Sequence, residues 1–293
     1  MRKELATFLE ETLQDSPKNV FLTADLGYGV FDKLRINYPK QYYNVGIAEA
    51  GMVSIAAGLS AEGFTPYVYS IASFLMPKTY EQVRLLSIQN HNKIILVGAG
   101  GGLSYSMSGP SHHSLDDLSL ALLLPNINVF APSGPKLLRD ALKIAKSSFE
   151  SSYIQIGKFG EPNYSTIDNP DEATIGLIST GTIFNDVYTL FEKLKTDGYK
   201  IGIFNVYSLR PLNENGLTNF LQNKKKVLVI EESWGLLSLS SLIYRFVSNN
   251  NIKVEIIRIG PDHKIFETNL ERETNLIEFG LTYSNIVKSM KVD

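Results

Sequence analysis

Short apolar runs alternate along this chain with longer segments whose apolar residues recur at three- and four-residue spacing. Residues 20–23, 42–45, 65–69, 93–97, 127–130 and 153–156 have the β-branched and aromatic density of strands. Residues 49–62, 80–89, 115–124 and 135–147 read as helices between them. Ahead of these, Leu5, Phe8, Leu9 and Leu13 fall on one face of a short amphipathic helix. The rhythm breaks over 158–174, where Gly160, Pro162, Asn163, Asp168, Asn169, Pro170 and Asp171 crowd together as in a linker. It resumes with strands at 175–179, 200–205, 227–231 and 254–258 and helices near 184–195, 213–221 and 236–247. The pattern predicts two α/β domains, each a mainly parallel sheet flanked by helices. They span residues 1–160 and 175–293, with a linker over 161–174.

Composition narrows the function. The chain has 293 residues, enough to bury a large core in two domains, and its 44% hydrophobic and 20% charged content is that of a globular protein. A net charge of −2 offers no drive towards nucleic acid or an anionic membrane. The absence of cysteine excludes disulfides, thiolate metal sites and cysteine nucleophiles. No apolar run is long enough to span a bilayer, and the first residues lack the apolar core of a signal peptide, so the cytoplasm is the expected compartment. The run Lys224-Lys225-Lys226 reads as a solvated loop.

Few residues are candidates for chemistry. The segment 47–59 is small or apolar almost all round and predicts a buried helix, yet it carries one charge, Glu49. A buried carboxylate is costly unless paired, hydrogen-bonded or protonated, which marks Glu49 as a candidate catalytic group; a first-turn cap is the plainer alternative. Of the four histidines, His91, His112, His113 and His263, two are adjacent in Gly109-Pro110-Ser111-His112-His113. Gly-Pro imposes a turn there, and imidazole suits proton transfer near neutral pH; a surface turn is the plainer alternative. No carboxylate or histidine is spaced to complete a metal site with them. Gly98, Gly100, Gly101 and Gly102 follow a strand, but the loop after them does not open the helix that a dinucleotide site needs. Phe74 and Tyr80 follow a strand end, where rings can stack on a flat cofactor or simply fill the core.

Taken in order, Thr23-Ala24-Asp25-Leu26-Gly27, Asn44-Val45-Gly46-Ile47-Ala48-Glu49, Ser73-Phe74-Leu75, Gly109-Pro110-Ser111-His112-His113 and Pro125-Asn126-Ile127 resemble the transketolase family of thiamine diphosphate enzymes. Leu209-Arg210-Pro211-Leu212 and Val229-Ile230-Glu231-Glu232 extend the resemblance into the second half. The match is to that family's pyrimidine-binding and C-terminal domains. It implies that Glu49 contacts the ring nitrogen of the cofactor's aminopyrimidine and shares a proton that favours the imino tautomer. It implies that His112 hydrogen-bonds substrate oxygens with His113 beside it. Phe74 and Tyr80 would line the pyrimidine pocket, Asp25 would lie near the cofactor, and Arg2 and Lys158 would bind a sugar phosphate.

The sequence also departs from the family. Pro77, followed by Lys78, stands where the main stacking ring is usual. Ser108 replaces an aspartate that reads the acceptor sugar, Gly29 replaces a phosphate-contacting serine, and Lys158 replaces an arginine. No Gly-Asp-Gly occurs, although the family holds the diphosphate through Mg²⁺ on a domain so marked. The resemblance therefore implies one half of a split transketolase. Its partner subunit would carry the diphosphate domain and most of the Mg²⁺ ligands. Assembly would be α2β2, with self-association through the pyrimidine-binding domain, and the reaction would transfer a ketol unit between sugars or sugar phosphates. A 2-oxo acid dehydrogenase β subunit, a 1-deoxyxylulose-5-phosphate synthase-like enzyme and a non-catalytic scaffold are the alternatives.

Overall fold

A computed structural model of the chain describes residues 1–88, 93–158, 162–164, 167–235, 237–262 and 270–291; His91 and His263 lie outside them. The first half runs α1 (Arg2–Asp15), β1 (Asn19–Thr23), α2 (Asp32–Asn37), β2 (Tyr42–Asn44), α3 (Glu49–Ala61), β3 (Thr65–Ile71), α4 (Ala72–Ile88), β4 (Ile95–Ala99), α5 (Asp117–Leu123), β5 (Ile127–Phe130), α6 (Pro135–Ser147) and β6 (Ser151–Ile156). The second runs β7 (Ile167–Asp168), β8 (Ile175–Ser179), α7 (Ile183–Thr196), β9 (Ile201–Asn205), β10 (Ser208–Arg210), α8 (Glu214–Leu221), β11 (Lys226–Ile230), α9 (Leu239–Asn249), β12 (Glu255–Ile259), α10 (Arg272–Glu278) and α11 (Tyr283–Met290). Among the described residues the strands form two sheets, ordered β10-β5-β6-β4-β3-β1-β2 and β12-β11-β8-β9-β7. Pairing is parallel except for β10 on β5 and β7 on β9, so the expected α/β class holds.

Alternation along the strands sorts the cores. From the first sheet, Val20, Leu22, Val68 and Leu96 meet Met52 and Val53 of α3, Leu75 of α4 and Leu118 of α5. Phe21, Tyr67, Ile95 and Val97 point the other way, onto Leu5 and Leu9 of α1 and Leu138 and Leu142 of α6. The second sheet is covered in the same manner by α7, α10 and α11 on one face and α8 and α9 on the other.

The halves interlock. β10 belongs in sequence to the second half but closes the first sheet, and Leu209 is buried in the first core. The Arg210 guanidinium donates to the carbonyls of Leu122 and Leu124 at the end of α5, neutralising a helix C-terminus. In return Leu103 and Leu115 of the first half are buried in the second core.

Three expectations are corrected. The helix carrying Glu49 is not buried all round: α3 packs Met52, Val53 and Ala56 inward but leaves Ile55 48% exposed, and Ile47 just ahead of it is 79% exposed. The lysine run is not a solvated loop. Lys224 and Lys226 are each 4% exposed, Lys224 donating to Asn169 Oδ1 and Ala173 O, and Lys226 to Lys291 O while pairing with Glu255. Burial pushes the Lys224 ammonium pKa down. Third, α4 starts at Ala72, eight residues before the expected position, because Pro77 lies inside it rather than ending a loop before it.

The second sheet contains an internal charge pair. Glu231, fully buried, accepts from Ser238 Oγ at 2.9 Å, Ser240 Oγ at 2.7 Å and Arg258 Nε at 2.8 Å. Replacing Arg258 alone leaves an uncompensated buried carboxylate. Arg258→Met is expected to lose about 3 kcal/mol in urea unfolding, and the double variant with Glu231→Gln to lose less.

Candidate active site

Ligands of open α/β sheets bind beyond the carboxyl ends of the strands, where the strand order reverses. In the first sheet that reversal falls between β1 and β3. Asp25 follows β1, Ser70 lies near the end of β3, and the loop with the two histidines follows β4. Glu49, in the first turn of α3 after β2, turns its carboxylate into the same crevice and is 4% exposed. It caps no backbone amide. Oε1 accepts from Ser70 Oγ at 3.3 Å, and Oε2 faces Lys78 Nζ at 3.4 Å.

From Glu49 a continuous line of side chains crosses the crevice. Lys78 Nζ lies 4.4 Å from the centre of the Phe74 ring. Phe74 meets the His112 ring edge-on at 4.9 Å, and His112 lies 6.1 Å from the Tyr105 ring. Lys158 Nζ sits 4.4 Å above Tyr105, and the Lys158 carbonyl accepts from Arg2 at 3.0 Å. Arg2 also stands against the buried Tyr69 hydroxyl, whose pKa is raised by burial. The structure thus brings Glu49, Phe74, His112, Lys158 and Arg2 together, and Arg2 is tied down rather than frayed.

The other candidates are placed differently. His113 is buried, its Nε2 3.1 Å from the Ser106 carbonyl, behind His112 rather than facing the crevice with it. Asp25 has φ +55° and is braced by Tyr28 and Asn44, whose hydrogen bonds, Tyr28 first, hold its carboxyl below the usual range. Asn44 Oδ1 also accepts from Gly46 N, linking Asp25 to the turn that leads to Glu49. Tyr80 packs against the first core, and Ser108 is exposed on the rim of the histidine loop. The glycines of 98–102 serve packing. A Cβ on Gly100, at φ +79°, would strike the Tyr105 ring, one on Gly101 would strike Gln155, and one on Gly102 would strike Glu232.

Sequence patterning missed Lys78, Ser70, Tyr69, Tyr105 and Asp117. Tyr105 left one usable signal, a single ring amid small residues after a glycine cluster. Asp117 begins α5 directly behind the histidines and is fully enclosed, accepting from Tyr153 OH at 2.5 Å and from Gln155 Nε2 at 2.8 Å.

The crevice fits the pyrimidine end of a thiamine cofactor in its donor set: an enclosed carboxylate for a ring nitrogen, an aromatic face, and an imidazole beyond it. Residues 1–156 match the description "Transketolase, pyrimidine binding domain" and residues 164–286 match "Transketolase, C-terminal domain". The chain belongs to the transketolase family. One of the two subunits of an apulose-4-phosphate transketolase of Phocaeicola vulgatus is 24% identical over 274 residues, spanning 90% of this chain and 88% of that protein. A 1-deoxy-D-xylulose-5-phosphate synthase of Fusobacterium nucleatum is 28% identical over 239 residues, spanning 78% of this chain but 39% of that protein. Among solved structures, a split-gene transketolase in an inactive β4 tetramer shares the fold with a TM-score of 0.84 at 24% identity, covering 98% of this chain and 96% of that one.

Asp117 supplies a pH test of the site's floor. Burial pushes its carboxyl pKa up to about 6, against the hydrogen bonds from Tyr153 and Gln155. The native state therefore holds a proton that the unfolded chain, with a carboxyl near the usual 3.8, has released. Stability linked to this group is complete below about pH 4 and lost as pH rises through 6. Urea unfolding should show wild type losing up to about 3 kcal/mol between those values, a slope that Asp117→Asn removes.

Proposed function

We propose that this chain is the subunit of a two-chain transketolase that bears the pyrimidine-binding and C-terminal domains. The reaction transfers a two-carbon ketol unit from a ketose or its phosphate to an aldose acceptor, using thiamine diphosphate and Mg²⁺. The observation that carries this reading is the enclosed Glu49 carboxylate, 4% exposed, at the carboxyl ends of β1 and β3. Bound there, thiamine diphosphate would supply the carbanion chemistry that no side chain of the chain can supply.

The protein's own contribution is proton placement and orientation. Glu49, held by Ser70, shares a proton with the pyrimidine ring nitrogen, and Phe74 presents its face to that ring. Asp25, braced by Asn44, faces the cofactor from the end of β1. His112 reaches the sugar oxygens. His113 holds its loop in place behind it. Arg2 and Lys158 meet a sugar phosphate, Arg2 through a planar fork and Lys158 as a point charge, and Ser108 lies towards the acceptor.

A partner subunit supplies the diphosphate domain. Among the described residues no group of three or more His, Asp or Glu could hold a metal, so the Mg²⁺ ligands are assigned to that partner. The uncovered face of α3 (Gly51, Ile55 and Gly58), with Ile47 ahead of it, is the natural seat for subunit contact in an α2β2 assembly, including contact between two copies of this chain. The inactive tetramer of the similar split-gene protein supports a chain that does not turn over alone. The cytoplasm is proposed as the compartment on composition alone.

The adjacent histidines and the likeness to a 1-deoxyxylulose-5-phosphate synthase favour one second reading, condensation of pyruvate with an aldehyde. A donor screen of the pair reconstituted with its partner separates the two. Ketol transfer from a ketose phosphate is expected, with none from this chain alone. Turnover with pyruvate and an aldehyde would replace the first reading by the second. Glu49→Gln should lower turnover of the pair by about 100-fold or more while the chain stays folded by circular dichroism.

A further inference from the structure

The loop that carries His112 is rooted in the other half of the molecule. Leu103 and Leu115, at its two ends, are 0% and 2% exposed and lie in the core of the C-terminal domain. Three polar ties accompany them. The Leu103 amide donates to the buried Glu232 carboxylate, which is itself paired with Arg272 at 2.9 Å. Trp234 N donates to Leu115 O at 2.9 Å. Between these ends the Asn275 side chain, fully buried on α10, donates to Ser106 Oγ, and the carbonyl of the same Ser106 meets His113 Nε2. On its own domain the loop is closed by a backbone bridge between Gly102 and Ser114. The Glu232 carboxylate fills the place that a Cβ on Gly102 would take.

A loop gripped at both ends and at its middle by a second domain has its geometry set by that domain. We propose that Asn275 is a positioning residue for the reaction. Through Ser106 it fixes the 103–115 loop so that His112 faces the crevice with His113 locked behind it. The C-terminal domain thus acts on the active site without touching substrate. This rests on the functional reading only for the consequence that a displaced His112 slows turnover; the mechanical claim stands on the contacts alone. A displacement of about 1 Å in such a group is enough to cost one to two orders of magnitude in rate.

The test uses the full chain and then the reconstituted pair. Asn275→Ala, and Ser106→Ala, which removes only the acceptor and keeps the His113 contact, are compared with wild type by hydrogen–deuterium exchange. Both variants should exchange about tenfold faster over 103–115, with strands β1, β3 and β11 unchanged. In the pair kcat should fall about tenfold while half-saturation by thiamine diphosphate moves less than twofold. The double variant should be no worse than either single one, since the two groups form one contact. Should Asn275→Ala fail to fold, Ser106→Ala carries the test by itself. Wild-type exchange over 103–115 in the folded variants overturns the proposal whatever their activity. A wild-type pair inert with every ketose donor overturns the functional reading and leaves the exchange result to decide this one.

Discussion

A carboxylate enclosed by protein needs partners on every side, and much of the first half of this molecule is arranged around Glu49. Its helix must start at the end of β2, because one residue earlier or later turns the side chain to another face. Ser70 reaches it from the end of β3, and α4 must start directly at Ala72 for Lys78, near the end of the second turn, to come within 3.4 Å. The parallel order of β1, β2 and β3 sets those three chain ends side by side. The acid therefore depends on sheet topology for its surroundings, not on a local motif.

Topology also requires that the two halves be interlaced rather than tethered. A strand from the second half closes the first sheet, and two leucines from the first half complete the second core. Each exchange places a neighbour's backbone against a site element: β10 brings Arg210 onto the end of α5, and the buried leucines set the two ends of the histidine loop. Separating the halves would expose Leu103, Leu115 and Leu209 together, so the active-site loop and the domain interface share one hydrophobic driving force.

Helices and strands with a strong apolar period were legible in the sequence to the residue. Pro135–Ser147, Ile127–Phe130 and Ile175–Ser179 are elements whose ends coincide with the pattern. What the pattern could not show depended on distant partners. A strand as short as Ser208–Arg210 has no periodicity of its own and exists only because β5 offers it an edge. Lys224 and Lys226 look solvated until the carbonyls of Ala173 and Lys291 are placed beside them. The apolar composition of α3 gave no sign of which face stays open in the single chain. Glu49, Phe74 and His112 could be chosen from the sequence because each is chemically anomalous in its run. Lys78, Tyr105 and Asn275 could not, because an ordinary lysine, tyrosine and asparagine acquire meaning only by what they touch.

Lys78 acquires its meaning from the acid it faces. The usual stacking ring is replaced by Pro77, and the residue after it extends a cation over Phe74 to Glu49. An acid that shares its proton with a pyrimidine nitrogen cannot keep an ammonium on the same oxygen, so the lysine must yield when the ring enters. The structure makes that cheap. Lys78 is half exposed, at 51%, and an ion pair with one partner in solvent is worth on the order of 1 kcal/mol or less. Its ammonium can return to water while its stem stays along Phe74. Ser70 remains on Oε1 throughout, so the carboxylate keeps its orientation while its second oxygen changes partner. A side chain that neutralises the enclosed acid and can be displaced at small cost reconciles the stability of this fold with the chemistry proposed for it.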